Sequence, residues 1–405
     1  MALPALALGW LLVAANPAIK YKASIRLESV TRTPLLTETA NSPVVADLMI
    51  APRLEGVLYT NRLEVKFTGE PQFYRRQLGG QASTFEVLTS VFTKAEYKLR
   101  RDFQLLAVHT TTYGTFPLDT FGGAGGGSLP VTPDDEATTS AYTYTETDVG
   151  IVTSLGVKRL NVSATLGWIV NGLLDPPVRP ARRGDAAYPQ QRYPEFRAQS
   201  FYGVTPRDYF TLFLYGRDVS FSTGNRDAIV QFAPGLQHQF TPLLNVSVEP
   251  GFALGRVWPR RPDERPYAFG MPTLEVAVGV PVPLGNHWPV KARLLARYLP
   301  YMDPLTTQLI PRGDAGVEFK WEGRRDAKVL AKLFYAQPFT TGVHRYDDDT
   351  RAEFEGLWPL PLNRYLFLQA KGQLRWTHHV VLSEWGIVQW LASVGLVARY
   401  DRGRL

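Results

Sequence analysis

The amino-acid sequence predicts an all-β fold: a transmembrane antiparallel β-barrel of about 18 strands, with short turns at one end and long loops at the other. Three observations carry that prediction. Polar and apolar residues alternate with period two in segment after segment along the chain. The segments run about 10 to 12 residues, where soluble strands average about five or six and a tilted strand crossing a bilayer needs about 9 to 11. Their connections alternate between turns of a few residues and longer stretches rich in Gly, Pro and Asp.

Taken in order, residues 1–18 (MALPALALGWLLVAANPA) hold an apolar run from Leu3 to Ala15. It is too short for a membrane-spanning helix but suits a signal-peptide core, an atypical one because the basic n-region is missing. Residues 19–405 read as a single barrel domain. In the first strand Lys20, Lys22, Ser24, Arg26 and Glu28 oppose Ile19, Tyr21, Ala23, Ile25 and Leu27. Glu64, Lys66, Thr68 and Glu70 oppose Leu63, Val65 and Phe67; Lys94, Glu96 and Lys98 oppose Ala95, Tyr97 and Leu99. Asn161 to Trp168 and Leu244 to Glu249 repeat the alternation. Lys291, Arg293 and Arg297 oppose Val290, Ala292, Leu294, Ala296 and Tyr298. The stretch GDAGVEFKWEGRRDAKVLAKLFYAQ (313–337) places Asp314, Glu318, Lys320 and Glu322, then Lys328 and Lys332, against Val317, Phe319, Trp321, Val329, Leu333 and Tyr335. Gln369, Lys371, Gln373 and Arg375 oppose Leu368, Ala370, Leu374 and Trp376, and a last strand covers 385–400. Short turns fall near 60–62, 100–102, 157–159, 205–208, 241–243, 283–287, 323–326 and 361–364; the longest loops fall at about 117–142 and 172–196.

Composition agrees with many strands and many turns. The 405 residues include 34 Gly, 31 Pro, 19 Tyr, 21 Phe and 9 Trp. There is no cysteine, which removes disulfides, thiol catalysis and thiolate metal sites. Trp168, Tyr298, Trp321, Tyr335, Trp376 and Tyr400 bracket the apolar face as rings do at bilayer interfaces. An open edge in lipid would strand backbone donors and acceptors at several kcal/mol each, so the sheet is expected to close. Closure makes the polar face the lumen, and about 18 strands make it too wide for side chains alone to fill.

Signal, alternating strands, short turns and long loops together resemble the bacterial outer-membrane porin class. Strand count, size and loop layout further resemble the 18-stranded barrels of Wzx/Wzy-dependent polysaccharide secretion. That resemblance implies a channel in the bacterial outer membrane, folded by the barrel-assembly machinery and surrounded by outer-membrane lipid. It implies export of an anionic polysaccharide with a periplasmic partner. The alternatives are a general or substrate-selective diffusion porin for a small anionic solute, and a structural or adhesive barrel.

Parity also sorts the lumen charges. Basic and acidic strands alternate: Lys291, Arg293 and Arg297; then Asp314, Glu318 and Glu322; then Lys328 and Lys332; then Glu353 and Glu355, with Glu275 on the strand before this series. Where first and last strands meet, Lys20, Lys22, Arg26, Lys371, Arg375 and Arg399 are predicted to form one basic wall, opposed by Glu28 alone. Arg179, Arg182, Arg183 and Arg192, in a Pro-rich segment, are candidates for a loop constriction or a solvated lid.

Other chemistry is not indicated. GGAGGG at 122–127 lacks phosphate-loop spacing and reads as a flexible loop. His109 and His238 have no acidic partner at recognisable sequence spacing, and adjacent His378 and His379 point apart, so neither catalysis nor a metal or cofactor is predicted. A net charge of +7 without an aromatic-interleaved basic cluster does not indicate nucleic acid.

Overall fold

A computed structural model of the protein describes residues 18–32, 45–77, 84–115, 141–155, 159–173, 190–222, 224–241, 244–259, 265–283, 289–302, 309–323, 326–339, 348–361, 363, 365–378 and 387–402. Residues 1–17 of the predicted signal segment lie outside the described residues, and Ala18, its last residue, is the first of β1. Eighteen strands follow in chain order: β1 (Ala18–Arg32), β2 (Val45–Tyr59), β3 (Leu63–Gln77), β4 (Thr84–Arg100), β5 (Phe103–Thr115), β6 (Ala141–Leu155), β7 (Leu160–Leu173), β8 (Gln191–Gly203), β9 (Asp208–Phe221), β10 (Arg226–Gln239), β11 (Asn245–Trp258), β12 (Tyr267–Pro283), β13 (Pro289–Met302), β14 (Leu309–Glu322), β15 (Lys328–Pro338), β16 (Asp348–Pro359), β17 (Leu366–His378) and β18 (Ile387–Arg402). Each pairs antiparallel with its neighbours in sequence, and β1 pairs with β18 from Tyr21–Arg402 to Arg32–Leu391, which closes the cylinder.

The barrel's girth follows from the strand number. Eighteen strands about 4.8 Å apart and tilted by about 40° give a circumference of about 113 Å and a diameter of about 36 Å. Side chains do not fill a ring of that width by themselves.

The apolar face points outward. Ile25, Leu27, Ile50, Leu54, Phe67, Leu166, Val230, Leu254, Leu294, Leu333 and Leu396 are all exposed, while Glu28, Arg32 and Asp47 on the other face are buried. The outward rings form two girdles. Trp168, Tyr298, Tyr335 and Trp376 sit toward the long-loop end of their strands, and Trp321 and Tyr400 toward the short-turn end. Trp321 faces Val290 on β13, eight residues from Tyr298. That is roughly 26 Å along a strand and about 20 Å of height once tilted, close to the ≈ 25 Å apolar band of outer-membrane barrels.

Strands interrupted by proline stay in the sheet and lose pairs locally. Pairing of β8 with β9 skips Tyr193 and Pro194 between Arg192–Ser220 and Glu195–Arg217, because Pro194 has no N–H to donate. The predicted loop over 172–196 is therefore shorter than expected: β7 runs to Leu173 and β8 begins at Gln191. At the tight β14–β15 connection the Gly323 N–H donates to the Ala327 carbonyl at 2.7 Å, and Asp326 takes φ 62°, a left-handed conformation that Asp tolerates better than bulkier residues.

Candidate functional site

The lumen wall where the cylinder closes carries a network of paired charges. Lys22 and Arg26 on β1, Arg53 on β2, Lys328 on β15, Lys371 on β17 and Arg399 on β18 line a recess of about 490 Å³. Period two puts these side chains inside: Lys22, Arg26 and Glu28 share one face of β1, and the register sets Arg399 opposite Ser24 and Lys371 opposite Ser393.

Against Arg26 and Lys371 lies Glu28, its side chain 1% exposed. Its carboxylate accepts the Ser393 hydroxyl proton across the closing seam. Arg26 Nη1 and Lys371 Nζ each stand 3.4 Å from it. Arg26 also donates through Nη2 to Glu70 Oε1 on β3 at 3.1 Å. Arg53 donates to the other Glu70 oxygen at 3.2 Å and pairs with Glu55 at 2.6 Å. On the far side Lys328 donates to Glu355 at 3.0 Å. Arg399 lies 4.6 Å over the Phe367 ring and 3.8 Å from Asp326 of the β14–β15 turn.

The predicted basic wall with Glu28 as its one nearby acid is more mixed in sign than expected. Lys22, Arg26, Lys371 and Arg399 line the recess, but Glu55, Glu70 and Glu355 are interleaved with them, and Glu28 pairs with Arg26 and Lys371. Parity assigns a face and leaves height open, so the sequence could not show that Arg26 reaches the β3 carboxylate two strands away. Arg375 stands apart: it is opposite Arg351 and Gln389, four residues or roughly 13 Å from Lys371 toward the long-loop end. Lys20 lies at the short-turn mouth, 5.2 Å over the Tyr59 ring.

Strands β12 to β16 form a charge ladder. Arg297 has Glu275 and Asp314 as its cross-strand neighbours and donates to Asp314 at 3.2 Å. Arg293 faces Glu318, which faces Lys332, which donates to Glu353 at 3.2 Å. Glu322 pairs with Lys320 on its own strand at 2.7 Å. Lys291 faces Lys320 across β13 and β14.

The opposite wall departs from the wet, charged lining expected throughout. Val219, Phe221, Ile229 and Val257 form a buried inward cluster with Tyr193 and Phe269 packed on it. Asp227 is fully buried beside it, with Arg217 Nη2 3.9 Å away as its ion-pair partner. Tyr215 donates its phenolic proton to Glu195 at 2.9 Å, and Arg197 pairs with Glu195 as well.

Arg179, Arg182 and Arg183 lie outside the described residues. Arg192 is not a loop residue: it is the second residue of β8, pairs with Ser220, and points away from the lumen with its guanidinium on Gln190. His109 is likewise on the outer face, hydrogen-bonded to Thr147 at 2.9 Å. His238 pairs with Asp208 at 2.6 Å, a contact the sequence spacing did not reveal. The residues missed from sequence include Arg53 and Glu55, although Asp47, Met49, Ala51, Arg53 and Glu55 alternate with Leu48, Ile50 and Leu54. Pro52 in that run obscured the strand. Among the described residues no group of three or more His, Asp or Glu is arranged to hold a metal ion.

A closed antiparallel cylinder of eighteen strands, greasy outside with two aromatic girdles and ionic along much of its interior, has the architecture of an outer-membrane β-barrel. No protein-family model and no curated protein matches the chain. Similar solved structures include OccAB3 of Acinetobacter baumannii, 9% identical with a TM-score of 0.49 over 95% of this chain and 99% of that one. OccK2 (OpdF) of Pseudomonas aeruginosa in complex with glucuronate is 9% identical, TM-score 0.47, over 95% and 98%. A BenF-like porin from Pseudomonas fluorescens Pf-5 is 9% identical, TM-score 0.47, over 95% and 99%.

Proposed function

We propose that the protein is a substrate-selective diffusion channel of the outer membrane for small solutes bearing a carboxylate. The observation that carries this reading is the recess at the seam, where Lys22, Arg26, Arg53, Lys371 and Arg399 line a volume of about 490 Å³, the size of a small-molecule site, in the wall of a wide cylinder. The interleaved carboxylates hold the cations in place and keep the lumen from repelling itself. A solute carboxylate exchanges for them transiently, at a surface where low-dielectric walls focus the field. Passage is then driven by the solute's own gradient. Polysaccharide export, expected from strand count and loop layout, draws no support from the lumen, and diffusion of small solutes takes its place.

The test is the ion selectivity of single channels in planar bilayers under a salt gradient. Lys22 and Arg53 are chosen because both are exposed to the lumen. Lys22→Glu with Arg53→Glu is expected to move the reversal potential toward cations and to abolish conductance block by a small dicarboxylate. Unchanged reversal potential and unchanged block would remove the recess from the permeation path.

A further inference from the structure

The outer surface of the barrel carries a basic patch that permeation does not use. Across the long-loop rim of β8 to β11 the register aligns Arg192, Ser220, Arg226 and Trp258 in one row, about 14 Å long at about 4.8 Å per strand. Two residues lower, Asp218 and Arg256 both face Ala228. Two residues lower again the surface is lipid-facing Phe196, Val230 and Leu254, all exposed. The row therefore sits where acyl chains give way to headgroups.

The guanidinium carbons of Arg226 and Arg256 lie 5.0 and 5.3 Å from the Trp258 ring centroid. Asp218 takes both forks of Arg226, at 2.7 and 2.5 Å. Arg192 donates to the neutral Gln190 side chain at 3.2 and 2.8 Å. Three arginines thus face one carboxylate, and among the described residues Arg256 has no carboxylate partner. The rings and forks are already held in place, so little side-chain entropy is lost on binding.

We propose that this patch docks a bis-phosphorylated lipid of the outer leaflet, its acyl chains on the Phe196, Val230 and Leu254 surface, one phosphate on Arg192 and the other on Arg256. A planar guanidinium fork matches phosphate oxygens, and its position on the lipid side of the rim selects a lipid over a dissolved anion. Short turns face the periplasm in barrels of this kind, which puts this rim in the outer leaflet.

The test titrates the purified full-length protein in detergent micelles with a bis-phosphorylated acylated disaccharide, read by native mass spectrometry. Each arginine at an anionic surface contributes about fivefold, so Arg192→Gln with Arg256→Gln is expected to lower retention about 30-fold, and Arg256→Gln alone about fivefold. Arg75→Gln, on the outer face of β3 near its own long-loop end, is expected to bind like the parent. Single-channel conductance of each variant serves as the check of folding, since none of these residues faces the lumen. Parent-like retention by the double variant, an equal loss in Arg75→Gln, equal binding of the dephosphorylated lipid, or displacement by millimolar inorganic phosphate would each overturn the proposal.

Discussion

Glu28→Gln tests the hub at the closing seam. The substitution keeps an oxygen for the Ser393 hydroxyl and removes the charge that faces Arg26 and Lys371, each 3.4 Å away. At an effective dielectric of about 20, one such separation corresponds to about 5 kcal/mol of Coulomb energy before desolvation is subtracted. Breaking a buried pair by removing one partner costs about 3–5 kcal/mol in practice, since the remaining cation stays out of water. Arg26 keeps its contact with Glu70, so the lower part of that range is the better expectation, a drop of about 100-fold in the folded-to-unfolded ratio. The assay is urea unfolding in phospholipid vesicles followed by tryptophan fluorescence. Lys332→Gln serves as the comparison, because it breaks a pair whose side chains are 28% and 22% exposed and is expected to cost less than about 1 kcal/mol. If Glu28→Gln and Lys332→Gln shift the midpoint equally, the carboxylate is not the electrostatic hub of the seam.

Other outcomes follow from single positions. At Gly395 an added Cβ would lie 2.5 Å from the Leu27 carbonyl oxygen and 3.2 Å from Glu28 Cα, so Gly395→Ala is expected to cost about 1–3 kcal/mol by forcing β18 off β1, read as a lower urea midpoint and a lower refolding yield. Asp227→Leu alone is expected to destabilise by about 3–5 kcal/mol, whereas Arg217→Met with Asp227→Leu is expected to be near neutral; a double variant as unstable as the single one would contradict the buried-pair account. His109→Leu removes a polar ring from the lipid face at the cost of its Thr147 hydrogen bond, and a stabilisation of about 1 kcal/mol is expected in the same unfolding assay. A loss of that size instead would mean that this face packs against something other than acyl chains.

Face was legible in the sequence, and height was not. For Glu318, Lys320 and Glu322 against Val317, Phe319 and Trp321, period two alone separates lumen from lipid, because one residue of slip would put an entire charged row into hydrocarbon. The Arg26–Glu70 contact depends on the stagger between strands, which no single strand's pattern encodes. Arg192 was misplaced because Pro194 and its neighbours read as loop punctuation, whereas a barrel strand accepts a proline where one donor goes unused. The inward cluster of Val219, Ile229 and Val257 was hidden for a different reason. In RDAIVQFAPG both Ile229 and Val230 are apolar, and nothing in that run says which one faces lipid; the structure buries Ile229 at 2% exposure and leaves Val230 at 60%.

The two walls of the lumen are unlike each other, and the difference has a physical consequence. Strands β1 to β3 and β13 to β18 present paired charges to the interior, while β8 to β12 combine the buried cluster of Val219, Phe221, Ile229 and Val257, with Tyr193 and Phe269 packed on it, with the charged Glu195, Arg197, Arg217, Asp227 and Glu275. Val219, Phe221, Ile229 and Val257 are buried, with Tyr193 and Phe269 packed on them, so they form a packed inner layer on that wall and not a surface open to the lumen. Apolar burial stabilises that side of the cylinder at roughly 25 cal/mol per Å² removed from water, whereas the seam side is held by ion pairs that stay partly hydrated. Salt should therefore weaken the seam more than the far wall, because screening acts on exposed charges and not on packed apolar side chains.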